Sequence, residues 1–180
     1  MINFKQFFEN RENSETIAVF PGGFKPPTKG HFLALQELLE TADRGVIFIG
    51  KNKRGNIDQD ISYLIWSIYS PYLSKPVEIN RSLVSPVQST YDLTREFPNA
   101  TIIVGAGSKE TDSRFNSFIK NPESYPNVVI KSINMQAGGI DGTTARKMIE
   151  SKDPAAIDYF TPADITQTDK ERIKSLLGVA

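Results

Sequence analysis

Residues 16–31 read TIAVFPGGFKPPTKGH: an apolar β-branched run that breaks on a proline and two glycines and closes at a helix start. Thr16–Phe20 is almost continuously apolar, as strands buried on both faces are. Gly22 and Gly23 let the backbone approach a ligand closely and tolerate positive φ. Pro26 and Pro27 stiffen the loop and hold off helix until Thr28, a good N-cap. Gly30 and His31 then fall in the first turn, where unpaired N–H groups and the positive end of the helix dipole collect anions. Gly30 costs a helix about 1 kcal/mol relative to alanine, a sensible choice where a ligand must pass beside the backbone. Thr28 and His31 share a helical face and are expected to grip one phosphate. A strand, a glycine loop and a helix in this order open a doubly wound sheet.

The alternation continues outward. Val46–Ile49, Val77–Asn80, Thr101–Val104 and Val128–Lys131 are predicted strands. Phe32, Leu35, Leu39 and Ala42 form one face of a crossover helix over Thr28–Ala42, and Ile61, Leu64, Ile65 and Ile68 form another. Gln88–Phe97 and Glu110–Ile119 are weaker helices. The predicted fold is α/β: a doubly wound, Rossmann-like parallel sheet of about five strands with helices on both faces, binding its ligand beyond the strands' carboxyl ends. Residues 1–180 are read as one domain. Residues 1–15 form a helical extension in which Phe4, Phe7 and Phe8 pack on the body, the alternative being a homo-oligomer contact. Residues 151–180 form a C-terminal helical segment, with Ile173, Leu176 and Leu177 of Asp169–Leu177 facing inward.

Composition removes whole classes of function. The chain has 180 residues, 39% hydrophobic and 23% charged, which suits a globular domain with a real core. Its 21 basic and 21 acidic residues cancel, so no global field draws it to nucleic acid or an anionic membrane, and any anion must be caught by a local cluster. Without cysteine there is no thiol nucleophile, thiolate metal site or disulfide, as suits a reducing cytoplasm. The apolar runs are too short for a membrane span, and the N-terminus lacks a signal-peptide core, so a cytoplasmic protein is expected. With one histidine, a zinc site of two or more histidines is impossible and a Ser–His–Asp triad would rest wholly on His31. G-x-S-x-G and Walker A sequences are absent.

A second string, GIDGTTAR over residues 139–146, again reads as a loop entering a helix. Arg146 follows Thr143 by three positions, as His31 follows Thr28, and could present a fixed charge beside a hydroxyl. The two strings together resemble the signatures of the cytidylyltransferase-like nucleotidyltransferases. Pro21, Gly22, Phe24, Pro26, Thr28, Gly30 and His31 match the first, roughly PGxFxPxTxGH or PGxFxPxHxGH. Thr28 stands where many members carry a first histidine, a variant that phosphopantetheine adenylyltransferases share. Ile140, Thr143 and Arg146 match the second, ISxTxxR, with Asp141 in place of serine. Asp141 could bind phosphate, cap the helix or help to hold a metal. The resemblance spans about residues 16 to 150.

The resemblance implies transfer of a nucleoside monophosphate, adenylyl slightly before cytidylyl, from a triphosphate to a phosphate-bearing small molecule, with release of pyrophosphate. His31, Thr28 and Arg146 would be catalytic. Pro21, Gly22, Gly23, Phe24, Gly30, Asp141, Gly142, Thr143 and Thr144 would bind the nucleotide. One cation of Lys51, Lys53 and Arg54, after the second strand, would reach a phosphate. Gly105 and Lys109, after the fourth, would hold base, ribose or phosphate, while Asp112 and Arg114 are read as surface helix residues. Mg²⁺ would bridge phosphates mainly through water, because the motifs hold no carboxylate cage. Two other readings stay open here: a nucleotide-binding regulatory module without turnover, and a dinucleotide-dependent oxidoreductase resting on G-x-G at Gly105–Gly107.

Overall fold

The structure, a computed structural model, describes residues 14–107, 113–134 and 137–179. The phenylalanines of the N-terminal extension, Lys109, Asp112 and the start of the predicted Glu110–Ile119 helix lie outside them.

All five predicted strands form, each within two residues of its expected end: β1 (Thr16–Gly22), β2 (Arg44–Ile49), β3 (Val77–Arg81), β4 (Thr101–Ala106) and β5 (Val128–Ser132). They make one parallel sheet in the order β3-β2-β1-β4-β5. The period-2 geometry of a strand divides the apolar run between two cores. Ala18 and Phe20 of β1, with Ile47 and Ile49 of β2, face one layer. Ile17, Val19, Val46 and Phe48 face the other. The first layer contains α1 (Lys29–Leu39), α2 (Gln59–Tyr69), α5 (Gly142–Glu150), α6 (Ala156–Phe160) and α7 (Gln167–Leu177). The second contains α3 (Pro86–Glu96) and α4 (Asn116–Lys120).

The crossover helix begins where the sequence places it. Thr28 caps α1, accepting from the His31 N–H, and the helix ends at Leu39 rather than Ala42, which is buried in the turn beyond. Phe32, Leu35 and Leu39 are buried as expected, whereas Leu64 of α2 points to solvent. Ile173 of α7 enters the core, with Leu176 and Leu177 packed against it. No helix among the described residues is long and apolar enough to cross a membrane.

Strand order fixes where a ligand can sit. The winding reverses between β1 and β4, and in such sheets ligands bind beyond the strands' carboxyl ends at this switch point. Gly105, expected to touch the nucleotide, turns out to be a packing glycine. A Cβ there would lie 2.4 Å from Leu38 Cδ1 and 2.8 Å from Ile133 Cδ1. Both neighbours are buried and cannot move aside. Gly105→Ala should therefore cost about 1–3 kcal/mol of stability, as overpacking does. Gly23→Ala, with nothing within 4 Å of the new Cβ, should stay within about 0.5 kcal/mol. Urea unfolding of the two variants checks the contrast.

Candidate active site

Beyond Gly22 the chain folds back on itself. Phe24 adopts φ 51 and buries its ring against Phe20, Trp66 and His31, with centroids 5.0, 5.4 and 5.1 Å away. A left-handed phenylalanine is unfavourable unless its surroundings hold it. Here the aromatic cluster and a 2.6 Å hydrogen bond from Ser62 Oγ to the Phe24 carbonyl hold it. The returning ring lies only 2.6 Å from where a Cβ of residue 22 would stand, so Gly22 is required. Tyr69 Oη donates to the Pro27 carbonyl and fixes the far side of the loop, and burial raises the pKa of this phenol.

The loop delivers His31 in a defined tautomer. The Thr28 backbone N–H donates to His31 Nδ1 at 3.0 Å, and Thr28 Oγ1 lies 2.9 Å from the same nitrogen. A backbone amide can only donate, so Nδ1 carries the lone pair and the proton sits on Nε2. Burial among the rings lowers the imidazole pKa from 6.5 to about 4, so His31 is neutral at physiological pH and offers one N–H. This corrects the expected phosphate grip by Thr28 and His31 together. Thr28 is buried, and its amide and hydroxyl hold the imidazole.

The second string meets the first across the crevice. Arg146 donates through Nη1 to the Lys25 carbonyl at 2.8 Å and through Nη2 to Thr143 Oγ1 at 2.9 Å. The three roles open to Asp141 reduce to one that geometry supports. Its carboxylate accepts from the Thr143 and Thr144 amides at 3.0 and 3.1 Å and from the Thr144 hydroxyl at 2.9 Å. Those bonds, the Thr143 amide first, hold its pKa below the ordinary carboxylate value. Asp141 is the N-cap of α5, and the Thr144 hydroxyl is engaged in the same cap.

Together these elements line a cavity of about 390 Å³, within the usual size range of small-molecule sites. Pro21, Gly22, Gly23, Phe24, Thr28 and His31 come from the first string, and Ile140 to Thr143 with Arg146 from the second. Arg54 alone of the three-cation loop reaches the cavity; Lys51 and Lys53 are exposed outside it. Gly30 is buried inside the first turn of α1, and neither it, Gly105 nor Thr144 lines the space. Two residues escaped the sequence reading. Arg114, expected on a surface helix, lines the cavity from the β4 side, and Lys25 lines its floor although it is 4% exposed. The position of Arg114 in the segment that follows β4 was the available signal; the inward turn of Lys25 left none. Among the described residues, Lys25, Arg54, Arg114 and Arg146 thus line the cavity with a single carboxylate, Asp141. A chain of zero net charge carries a local positive cluster, as anion capture requires. Among the described residues no group of three His, Cys, Asp or Glu side chains could hold a metal ion.

No family model matches the chain. Phosphopantetheine adenylyltransferase of Cytophaga hutchinsonii is 43% identical over 54 residues, 30% of this chain and 36% of that protein. Nicotinamide-nucleotide adenylyltransferase of Pyrobaculum aerophilum is 30% identical over 73 residues, 39% of this chain and 41% of that protein. The matched segments thus span well under half the length of these relatives. Nicotinic acid mononucleotide adenylyltransferase of Plasmodium falciparum, solved in complexes with APC and with NaAD, superposes with a TM-score of 0.64 for each complex. Identity is 14 and 15%, over 92% of this chain and 98% of that one. That likeness establishes the fold, and the matches as a set support the cytidylyltransferase-like superfamily.

The His31 environment sets a stability signature. The folded pKa of about 4 lies below the unfolded value of 6.5. Between these pH values the unfolded chain binds a proton that the folded chain does not, so acidification from pH 6.5 to 4 favours unfolding. His31→Gln should be less stable than the native chain at pH 7. The gap should narrow steadily toward pH 4 in urea titrations, and a constant gap would contradict the neutral imidazole.

Proposed function

We propose that this chain is a nucleotidyltransferase that moves an adenylyl group from ATP to the phosphate of a small-molecule acceptor and releases pyrophosphate. The observation that carries the reading is the His31 Nε2–H, held in one tautomer at the edge of a cavity whose other polar groups are mostly cationic. Two further facts support adenylyl over cytidylyl transfer: Thr28 in the first signature, and the adenylyltransferase names of both curated relatives. A phosphate-bearing acceptor is suggested by the names of the curated relatives, with a mononucleotide or phosphopantetheine as two candidates.

In this reaction an acceptor phosphate oxygen attacks the α-phosphorus, forming one P–O bond. The bond from the α-phosphorus to the bridging oxygen breaks, and its electron pair leaves with pyrophosphate. No covalent nucleophile is needed; the protein supplies orientation and charge stabilisation. Nε2–H of His31 would donate to a non-bridging α-phosphate oxygen as charge grows there. Being neutral, it does so without giving up its proton, and it needs no acid–base cycle. Arg146, with its guanidinium fixed by Thr143 and the Lys25 carbonyl, would hold the departing β- and γ-phosphates together with Arg54. The N-terminus of α5, capped by Asp141, adds amide dipoles on the same side. Mg²⁺ would enter as a companion of the triphosphate, because the one lining carboxylate among the described residues is already engaged by three donors. Phosphate oxygens and water would then supply its remaining ligands.

Pyrophosphate release from MgATP and MgCTP, each with a panel of phosphorylated acceptors, tests the reading directly. Release with neither nucleotide would leave it without support. His31→Ala should lower kcat by about 10²–10³ while changing triphosphate affinity much less, since this donor acts mainly in the transition state. Asparagine at 31 should recover part of the loss. A histidine of purely structural value would instead leave activity per folded molecule near normal. Among the loop cations, Arg54→Gln should weaken triphosphate binding and flatten its salt dependence. Lys51→Gln and Lys53→Gln should leave both nearly unchanged, as titrations at low and high salt would show.

A further inference from the structure

The Lys25 ammonium has no part in the chemistry above, yet it joins the loops that follow two neighbouring strands. Its Nζ donates to the Gly23 carbonyl at 2.7 Å and to the Gly50 carbonyl at 3.0 Å. Gly23 follows β1 and Gly50 follows β2, so one ammonium bridges the ends of two neighbouring strands. Its own carbonyl accepts from Arg146 at 2.8 Å, which brings in α5. Lys25 is itself a lining residue of the cavity.

The physical need for this arrangement is plain. Gly23 and Gly50 present carbonyl oxygens, the negative ends of peptide dipoles, beyond the ends of β1 and β2, and Gly23 lines the site meant for anions. Left bare, they would repel a phosphate chain across a short distance in a medium of low dielectric. An ammonium has three N–H donors and no acceptor. Two of them cover the carbonyls, and the net positive charge turns an acceptor-rich floor into an anion-binding one.

Building on the nucleotidyltransferase reading, we propose that Lys25 is a positioning residue of the phosphate site. Its ammonium covers the Gly23 and Gly50 carbonyls and locks the two strand ends, so that a nucleoside triphosphate binds tightly only while Lys25 is protonated. Burial lowers the lysine pKa from 10.5 to about 8; Asp58, before α2, opposes the shift and Arg54 adds to it. Arg146, from α5, meets Lys25 through its carbonyl. Of the other cavity groups, His31 titrates near pH 4 and Asp141 below the ordinary carboxylate range, so neither changes charge above pH 7. A bound polyanion favours the charged lysine, so binding above about pH 8 takes up a proton.

Calorimetric titration of MgATP and MgCTP into the native chain, Lys25→Met and Lys25→Arg from pH 7 to 9.5, at constant ionic strength, tests the assignment. Every variant keeps the residue-25 carbonyl, so the comparison isolates the ammonium. Native affinity should fall about tenfold or more between pH 7.5 and 9.5, the scale of a hydrogen bond to a charged group. Lys25→Met should be about as weak at pH 7 as the native chain is at pH 9.5, and flat with pH. Lys25→Arg, charged throughout, should bind more tightly than Lys25→Met at pH 9.5 and show no loss across the range. Native affinity that stays flat from pH 7 to 9.5 overturns the proposal, as does native-like binding by Lys25→Met. Should Lys25→Met fail to fold, the native profile alone decides. Pyrophosphate release by the native chain separates this inference from the reading beneath it. The expected binding profile without turnover overturns transfer and leaves Lys25 in its role. Turnover with a flat profile does the reverse, and a native chain that binds neither nucleotide overturns both.

Discussion

Phe24 turns back beneath Gly22 into the aromatic core, and most of the site's geometry descends from that reversal. Its backbone sits in the left-handed region that only a tightly held non-glycine residue occupies. The ring is held by Phe20 and Trp66, and its carbonyl by Ser62. Because the chain reverses there, Lys25 points down toward the Gly50 carbonyl and offers its own carbonyl to Arg146. The same ring meets His31 edge-on and helps to exclude the water that would otherwise let the imidazole ionise. Loop conformation, imidazole charge state and the meeting of two distant segments are thus three consequences of one packing event.

The contact between Arg146 and the Lys25 carbonyl spans 121 positions of sequence. A guanidinium bound only to solvent would sample many rotamers and lose entropy on meeting a ligand. Bound to Thr143 and to the first loop, it is already placed. The Asp141 cap does the same for the helix that carries it, fixing the first turn through three hydrogen bonds. Asp141 would be an awkward residue if it faced phosphates bare. Its oxygens are engaged by donors from Thr143 and Thr144, which offset much of its charge toward the cavity.

The parts of this structure legible in the sequence are those written in local pattern. Buried parallel strands show as apolar runs, and Thr28 after two prolines shows as a helix cap, because strand and cap depend on residues within a few positions. His31 and Arg146 are legible as cavity residues for the same reason: each lies in the first turns of a helix that follows a loop. What stayed hidden depends on returns through space. Gly105 looks like a ligand-approach glycine in sequence, yet Leu38 and Ile133 occupy the space beside it. Arg114 reads as a surface residue in sequence, yet it lines the cavity beside residues of the loop after β1. The Thr28 hydroxyl reads as a phosphate donor until the imidazole of its own first turn takes it up.

Parallel α/β sheets set every anion-binding member of the class the same electrostatic problem. The strands' carboxyl ends, where ligands gather, carry carbonyl oxygens that phosphates avoid. Helix N-termini answer part of it, and here α1 and α5 both start beside the cavity. Their first-turn amides are nevertheless partly occupied, by Thr28 in one and Asp141 in the other. The capping that makes each helix start well defined also consumes donors the ligand could have used. Side-chain cations must then make up the difference, which is why a chain of zero net charge gathers Lys25, Arg54, Arg114 and Arg146 at one place. Three of these are arginines, charged at any physiological pH. The fourth is the buried lysine, the one cation of the group whose charge its surroundings can adjust.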